Sequence, residues 1–385
     1  MIRFGPWSTM LGMAAGFGAV VVALLLASPG NRVANRLLAA LLAVAVLRLM
    51  PYVLGFAGFY DAYPWLSFAP FNLGLATGPL LYLYVRRLVE PGLPRGWAGH
   101  LAPAALNLTY TAWAFSLPLA EKMRWNDAIH MRWIAPAETW ATTLSLAAYL
   151  VITARFHRRY QAWLAGAVGN PADHRQPWLR TLLAALALWL LVAVAFDAVD
   201  GLVAPLSYYD RFPQYLAFAA IILGLGLEGW RHAGAAFPVM TASPLPESVS
   251  SPARDRDWTA QAGRWRDTIR EAGWWREPGL TLAQVAQRLG TNETYLSRAL
   301  NQGLGRTFSA LINGLRVEAV QARLPTTEQG ELLSMALDCG FASKASFNRV
   351  FRDHTGMSPS AWRAAQKTES RGFTGNEATA GGDAA

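Results

Sequence analysis

Residues 338–359 read DCGFASKASFNRVFRDHTGMSP, and this stretch has the pattern of a tight turn followed by an amphipathic helix. Gly340 is suited to end a preceding helix, because glycine takes a positive φ at little cost. Ser343 is a preferred residue type for the N-cap of the next helix. In that helix Phe347, Val350 and Phe351 fall on one face. The stretch therefore predicts a helix-turn-helix motif whose second helix has a polar, basic outer face.

The same layout occurs earlier in the chain, after a helix predicted over residues 258–272. Thr281 and Gln284 have capping-box spacing, which predicts the start of a helix at Leu282. Gly290 is placed to end that helix, and Asn292 can cap the following one. A longer helix is predicted over residues 307–324, between the two motifs. We expect it to hold the two second helices at a fixed separation, so that both meet one face of a DNA duplex.

The C-terminal region resembles the DNA-binding domain of the AraC/XylS family of bacterial transcriptional regulators. The resemblance covers under a third of the chain and differs from the family's pattern at two positions, Trp362 in place of a usual Tyr and Leu300 in place of a common Phe. The matching motifs, in chain order, are YLSR (295–298), GRTF (305–308), ALDCGF (336–341), SFNRVFR (346–352), GMSP (356–359) and WR (362–363).

The resemblance implies that residues on the second helix of each motif read bases in the major groove of double-stranded DNA. Arginine bound to guanine is the commonest specific contact of this kind. Arg352 is expected to contact phosphate instead, which positions the protein without specifying sequence. The implied base-reading residues are Thr294, Ser297 and Arg298 in the first motif and Lys344, Ala345, Ser346 and Arg349 in the second, with Asn348 as a further candidate on the same outer face.

The charge of this region indicates how it binds DNA. Residues 254–363 contain 15 Lys/Arg and 11 Asp/Glu, which is only a modest positive excess. A weak electrostatic attraction favours binding as a homodimer, or a high local concentration of the protein near its site. We expect a homodimer on DNA.

The rest of the chain is too apolar for an ordinary soluble domain. The whole sequence is 53% hydrophobic and 15% charged, against about 25% charged residues in typical soluble domains. Residues 1–233 contain 17 Lys/Arg, and the last 152 residues contain the same number, so charge is much denser in the second part. The predicted organisation is a transmembrane domain (1–233), a Pro/Ser-rich linker (234–257), a DNA-binding domain (258–366) and a disordered tail (367–385).

Seven apolar stretches predict seven membrane-spanning helices, and with the helical C-terminal region they give an all-α fold class. Ten Lys/Arg fall in the loops on one side and five on the other, which predicts an outside N-terminus and a cytoplasmic C-terminal domain in the bacterial inner membrane. A cleaved signal peptide over residues 1–28 is an alternative that would reverse this orientation. The predicted spans are approximately residues 10–28, 37–56, 66–85, 100–119, 136–152, 179–199 and 213–227.

Polar residues inside apolar spans are candidates for ligand contacts, because they are costly in a bilayer. The candidates are Arg48, Asn72 and Asn107. Alternatively, the Arg48 side chain snorkels toward the membrane interface, and the two asparagines form hydrogen bonds that join neighbouring helices. Cys339 is the single cysteine and lies in an apolar helix pattern, so we expect it to be a core residue. Neither a metal site nor a cofactor is expected.

The sequence favours a non-enzymatic, membrane-embedded one-component transcriptional regulator controlled by a signal sensed in the bundle. No zinc-protease, P-loop or catalytic-triad pattern is present in the sequence. Two alternatives remain: an integral-membrane transporter or enzyme with an appended regulatory DNA-binding domain, and a membrane tether that docks a partner protein.

Overall fold

The computed structural model describes residues 2–169, 177–235, 237–240, 257–324 and 331–366. Within these ranges the chain is helical and contains no strand, with one isolated antiparallel bridge between Val168 and Thr281. The all-α class is thereby confirmed for the described residues. The predicted tail (367–385) and most of the predicted linker (234–257) lie outside them.

The chain divides into two compact units. Unit 1 comprises residues 1–159 and 176–241, and unit 2 comprises residues 160–175 and 242–385. The boundary near residue 241 falls inside the predicted linker. The assignment of residues 160–175 to unit 2 was not expected, because the sequence pattern placed them in a basic loop of the membrane domain.

The described residues of unit 1 contain nine α-helices, and the last turns of α7 belong to unit 2. They are α1 (Pro6–Ala27), α2 (Arg32–Phe56), α3 (Phe59–Ala62), α4 (Thr77–Val89), α5 (Ala102–Ser116), α6 (Leu119–Trp125), α7 (Ala135–Ala167), α8 (Pro177–Leu202) and α9 (Phe212–Arg231). Between α6 and α7, Asn126–Ile134 form a π-helix.

The core of unit 1 forms where α1, α2 and α9 pack closely. Small residues permit the approach: a Cβ added at Gly229 would clash with Cδ2 of Leu38, and one at Gly18 would lie 2.5 Å from Cγ2 of Val46. Fully buried leucines fill the space between the helices, including Leu11 and Leu42. The close contacts fix these three helices against one another.

Four described helices are long and apolar enough to cross a membrane: Pro6–Ala27, Arg32–Phe56, Trp178–Leu202 and Phe212–Arg231. They match the first, second, sixth and seventh predicted spans. The fifth predicted span lies within α7, which has 33 residues but carries polar residues such as Glu138 in its first turns.

The third and fourth predicted spans are not single long α-helices, and the sequence prediction was wrong on this point. Residues 66–85 contain a break before a 3₁₀ turn (Gly74–Ala76) that leads directly into α4, which has 13 residues. Phe68 within the break has φ of 65°. Pro70 and the nearby glycines explain the break, because proline removes a backbone donor and glycine weakens a helix.

The fourth predicted span begins as a 3₁₀ helix and ends early. Trp97–Leu101 form the 3₁₀ helix, and α5 continues it to Ser116 with 15 residues of its own. The C-cap residue of α5, Leu117, is extended and precedes Pro118, the N-cap of α6. A proline disfavours helical conformation in the residue before it.

The described part of unit 2 is built around α13, with a 3₁₀ turn (Trp274–Arg276) between the first two helices. Arg316 on α13 is 1% exposed, and its guanidinium donates to the carbonyl oxygens of Trp275 (2.8 Å) and Glu277 (2.9 Å). This buried side chain therefore ties the chain after the first helix to the central helix. The helices are α10 (Trp258–Glu271), α11 (Leu282–Arg288), α12 (Glu293–Leu304), α13 (Phe308–Arg323), α14 (Leu332–Asp338), α15 (Lys344–Thr355) and a last helix over 359–366.

Candidate nucleic-acid interface

The first helix-turn-helix motif consists of α11 and α12. Thr281 Oγ1 accepts from the backbone N–H of Gln284 (3.3 Å), and the Gln284 side chain accepts from the backbone N–H of Thr281 (2.9 Å), which confirms the predicted capping box. Gly290 has φ of 65° in the turn. Asn292 then caps α12 by accepting from the N–H of Tyr295 (2.8 Å). The local sequence thus fixes where each helix begins and ends.

The second motif consists of α14 and α15 and follows the same scheme. Gly340 has φ of 85° and ends the first helix. Ser343 Oγ accepts from the N–H of Ser346 (3.2 Å) as the N-cap of α15. Phe341 in the turn is fully buried and packs against Phe347, with ring centroids 5.4 Å apart. Cys339 is also buried, as predicted, and burial raises the pKa of its thiol.

The C-terminal helix closes the second motif from the other side. Ser358 Oγ accepts from the N–H of Ala361 (3.2 Å), so that it caps the helix over 359–366. Trp362 on this helix contacts Phe351 edge to face, with centroids 6.1 Å apart. The tryptophan therefore packs back on α15, as its aromatic character predicts.

An exposed ion pair joins α11 to the chain that precedes it. Arg288 donates from two guanidinium nitrogens to the two carboxylate oxygens of Glu277, at 2.7 and 2.8 Å. Its guanidinium also lies 5.4 Å from the ring centroid of Trp274. The hydrogen bonds from Arg288 hold the pKa of the Glu277 carboxyl below its usual value. Arg288 is thus occupied within the fold, and we do not count it among the cations available to DNA.

The outer face of α15 presents a row of residues at helical spacing. Ala345, Asn348, Arg349 and Arg352 recur at intervals of three and four, so they share one side of the helix. Arg352 is exposed, as is Lys344 at the first position, whereas Asn348 and Arg349 are half-buried. Nη2 of Arg349 is buried and has no hydrogen-bond partner among the described residues. Buried polar atoms are nearly always paired, so this nitrogen is an exception.

Ser346 is the exception in the predicted set. Its side chain is only 1% exposed, because Ser346 lies four residues before Val350 and shares its inward face. Its backbone contributes to the cap of α15, as described above. We therefore leave Ser346 out of the proposed contact surface.

The second helix of the first motif carries a weaker cationic face. Arg298 is exposed on α12, while Thr294 and Ser297 are half-buried. Ser297 Oγ accepts from the side chain of Asn301 (3.4 Å). Glu293 at the start of α12 would repel phosphate. We therefore expect α15 to contribute more of the binding energy than α12; the base-reading roles of all these residues stay predictions.

The profile of a helix-turn-helix domain family matches residues 285–365, which begin within α11 and end in the last described helix. This part of the chain is an AraC-type helix-turn-helix domain. The matched region contains both motifs together with α13, so the comparison and the local geometry agree on the same residues. They support DNA binding in transcription regulation.

Relatives of the AraC-type domain are regulators by name. An uncharacterized HTH-type transcriptional regulator of Staphylococcus aureus strain MSSA476 is 32% identical over 84 residues, which are 22% of this chain and 11% of that protein. The melibiose operon regulatory protein of Escherichia coli strain K12 is 28% identical over 99 residues, covering 26% of this chain and 32% of that one. The chain thus spans a minor part of these relatives.

Among solved structures, the AraC-type domain is similar to the C-terminal domain of AraT, a response regulator from Geobacillus stearothermophilus. The two are 30% identical, and the match covers 27% of this chain and 84% of that one, with a TM-score of 0.25.

The residues predicted as ligand contacts lie in unit 1, and two of them share a partner that the sequence did not reveal. Asn72 and Asn107 both donate to Oε1 of Glu138, at 2.6 and 2.8 Å. Arg48 lies against aromatic rings, 5.2 Å from the centroid of Trp189 and 5.8 Å from that of Phe218. Polar residues in two separate apolar segments were a signal that a third polar group lay between them.

Proposed function

We propose that the protein is a membrane-embedded one-component transcriptional regulator, which binds double-stranded DNA through both helix-turn-helix motifs and responds to a signal received by unit 1. The observation that carries this proposal is the presence, in one chain, of an AraC-type domain and a unit with four apolar helices of membrane-spanning length. Binding as a homodimer on DNA belongs to the proposal and follows from the modest positive charge of the domain.

The exposed surface of unit 1 supports its location in a bilayer. Large apolar side chains project outward from several helices, for example Met13 (72% exposed), Leu188 (63%) and Leu191 (67%). Soluble proteins rarely expose apolar surface of this extent, whereas a lipid environment accommodates it. We propose seven crossings, in which the third and fourth are completed by the 3₁₀ segments that lead into α4 and α5.

The orientation in the inner membrane is proposed from the loop charges. Basic residues concentrate at the start of α2, at the end of α4, in the C-terminal half of α7 and at the end of α9. The excess of Lys/Arg on this side favours a cytoplasmic location for it and an outside N-terminus. The DNA-binding domain then lies in the cytoplasm, where its partner is.

Genome-wide mapping of DNA sites bound by the full-length protein tests this function. We expect discrete sites in which two neighbouring major-groove segments are protected on one face of the duplex, since each chain carries two reading helices. A matched variant that removes only charge on α10, Arg264→Gln, serves as a control and is expected to bind the same sites. Uniform, sequence-independent occupancy by both proteins would contradict a role in specific regulation.

The end of α7 offers a route from the bundle to the DNA-binding domain. Residues of α7 up to Arg159 belong to unit 1, and those from Tyr160 belong to unit 2. Immediately after the helix, Gly169 donates from its N–H to the carbonyl oxygen of Leu280 (3.0 Å) and accepts at its own carbonyl from Ser309 Oγ (3.3 Å). The chain after α7 thus joins the residue preceding the N-cap of α11, and we propose that α7 transmits the signal.

Substitution at Gly169 tests this coupling. A Cβ there would lie 3.1 Å from Cγ2 of Ile312 and 3.4 Å from the carbonyl oxygen of Leu280, so Gly169→Val should displace the pairing. We expect faster amide hydrogen exchange at the start of α11 and an altered operator affinity in the full-length protein. Gly166→Val is the control, because a Cβ at Gly166 meets no atom within 4 Å. Equal exchange and affinity in the two variants would contradict a coupling role.

A further inference from the structure

A cavity of about 250 Å³ lies among the helices of unit 1. Its walls come from α2, from the chain before α4, from the π-helix and the first turns of α7, and from α8 and α9. The polar lining includes Arg48, Asn72, Glu138, Asp197, Arg211 and Gln214. Pockets for drug-sized molecules usually measure about 300–1,000 Å³, so this cavity suits a smaller molecule.

Arg48 faces this cavity without a protein counter-ion in contact. No hydrogen bond or ion pair joins its guanidinium to another group within the described residues, although the rings of Trp189 and Phe218 flank it. Gly74 makes room for the charge, since a Cβ there would lie 2.7 Å from Nη1 of Arg48. Aromatic faces compensate part of the cost of a desolvated cation but do not replace an anion.

The other cation of the lining is already neutralised. Arg211 donates to Asp197 Oδ1 and to Asp200 Oδ2, both at 2.8 Å. Each carboxylate accepts from a different nitrogen of the guanidinium. Among the described residues of the lining, Arg48 is therefore the arginine whose charge has no anion in contact.

Glu138 is held apart from Arg48 by its own partners. Both asparagines donate to Oε1, which fixes the carboxylate, and Oε2 has no hydrogen bond within the described part of the chain. Arg48 and Glu138 are within electrostatic range of each other, yet no nitrogen of the guanidinium lies within 4.0 Å of the carboxylate.

Two further polar atoms beside the cavity are buried without partners in the described residues. They are Nε1 of Trp189, a side chain that is 6% exposed, and Oε1 of Gln214. One is a hydrogen-bond donor and the other an acceptor. Buried polar atoms are nearly always satisfied, so each of these two has an unmet hydrogen-bonding requirement.

We infer that the cavity binds a small zwitterion of the amino-acid class, whose carboxylate pairs with Arg48 and whose ammonium group donates to Oε2 of Glu138. Such a molecule is neutral overall, so it satisfies both separated charges without adding a new one. The inference rests on the proposed function, because it makes this zwitterion the signal that unit 1 receives. Binding draws the α7 segment that carries Glu138 toward α2 by way of the ligand, and α7 is the helix proposed above to transmit the signal.

The test uses the full-length protein in lipid nanodiscs and a panel of the common amino acids, with propionate and propylamine as probes that carry only one of the two charges. We expect at least one amino acid to raise the thermal midpoint of unit 1 and to bind by calorimetry, and neither single-charge probe to do so. Arg48→Gln and Glu138→Gln should each weaken binding by about tenfold or more, as expected for loss of a charge-assisted hydrogen bond.

Controls separate loss of the site from loss of the fold. Arg36 lies on the exposed face of the same helix as Arg48. The variant Arg36→Gln should therefore bind the amino acid like the wild type. Arg48→Gln in the absence of ligand should keep or raise the thermal midpoint, because it removes a cation that lacks a contacting anion. Absence of binding by every amino acid, or undiminished binding by both cavity variants, would overturn the site.

A parallel measurement of operator affinity distinguishes this inference from the proposed function. A zwitterion that binds and shifts operator affinity supports both. Binding with no change in operator affinity, or accumulation of the amino acid inside proteoliposomes, would overturn the signalling function while leaving the site. Sequence-specific operator binding by a protein to which no amino acid binds would overturn the site alone.

Discussion

Arg349→Ala is expected to remove sequence discrimination by the second helix-turn-helix motif while leaving the fold of unit 1 unchanged. Arginine bound to two acceptors on guanine contributes about 1–3 kcal/mol of discrimination, which corresponds to roughly 5- to 150-fold in relative affinity. The side chain lies on the outer face of α15, and its Nη2 lacks a partner within the described residues. Loss of this side chain therefore leaves no acceptor of the fold unsatisfied.

The measurement is a comparison of affinities for the operator and for an unrelated duplex, at several salt concentrations, with the full-length protein. Arg352→Ala is the matched variant on the same face and is expected to contact phosphate. It should weaken binding to both duplexes alike and lower the salt dependence by about one unit of slope. An operator footprint for Arg349→Ala that equals the wild-type footprint would remove Arg349 from the interface.

Much of unit 2 could be predicted because its decisive signals are local. Thr281 with Gln284, and Ser343 alone, fix helix starts through contacts within three residues, and such contacts can be read from sequence spacing. The burial of Ser346 was also available from the pattern, since it shares a face with Val350. The family's usual roles nevertheless place Ser346 among the base-reading residues.

Unit 1 was less predictable because its important contacts are between distant residues. The hydrogen bonds to Glu138 come from 66 and 31 residues away along the chain, and no periodicity reports such a pairing. Hydropathy identified the four long apolar helices because it sums side-chain transfer energies. It missed the break before α4, because helix continuity depends on the backbone at Pro70 and its neighbouring glycines rather than on apolar content.

Gly340→Ala is expected to destabilise the DNA-binding domain more than replacement of Gly290, the glycine in the turn of the first helix-turn-helix motif. Gly340 has φ of 85°, and a Cβ there would lie 2.7 Å from the carbonyl oxygen and 2.8 Å from the carbonyl carbon of Arg276. That backbone cannot easily retreat, because the neighbouring carbonyl of Trp275 accepts the 2.8 Å hydrogen bond from the buried Arg316. Strain at positive φ and the steric clash together should cost about 2–6 kcal/mol.

Gly356→Ala separates the two contributions to this cost. Gly356 has a similar φ of 76°, but a Cβ there meets no atom within 4 Å. In this variant the free energy of unfolding should therefore fall only by the cost of the backbone conformation, about 1–2 kcal/mol.

Denaturant unfolding of the full-length protein, followed by amide hydrogen exchange within α14 and α15, measures both variants under one condition. Because the backbone strain is nearly the same at the two sites, any excess loss in Gly340→Ala reports the contact between the turn of the second motif and the backbone that Arg316 holds. Equal losses would mean that this backbone yields, and that Arg316 does not fix the position of the turn.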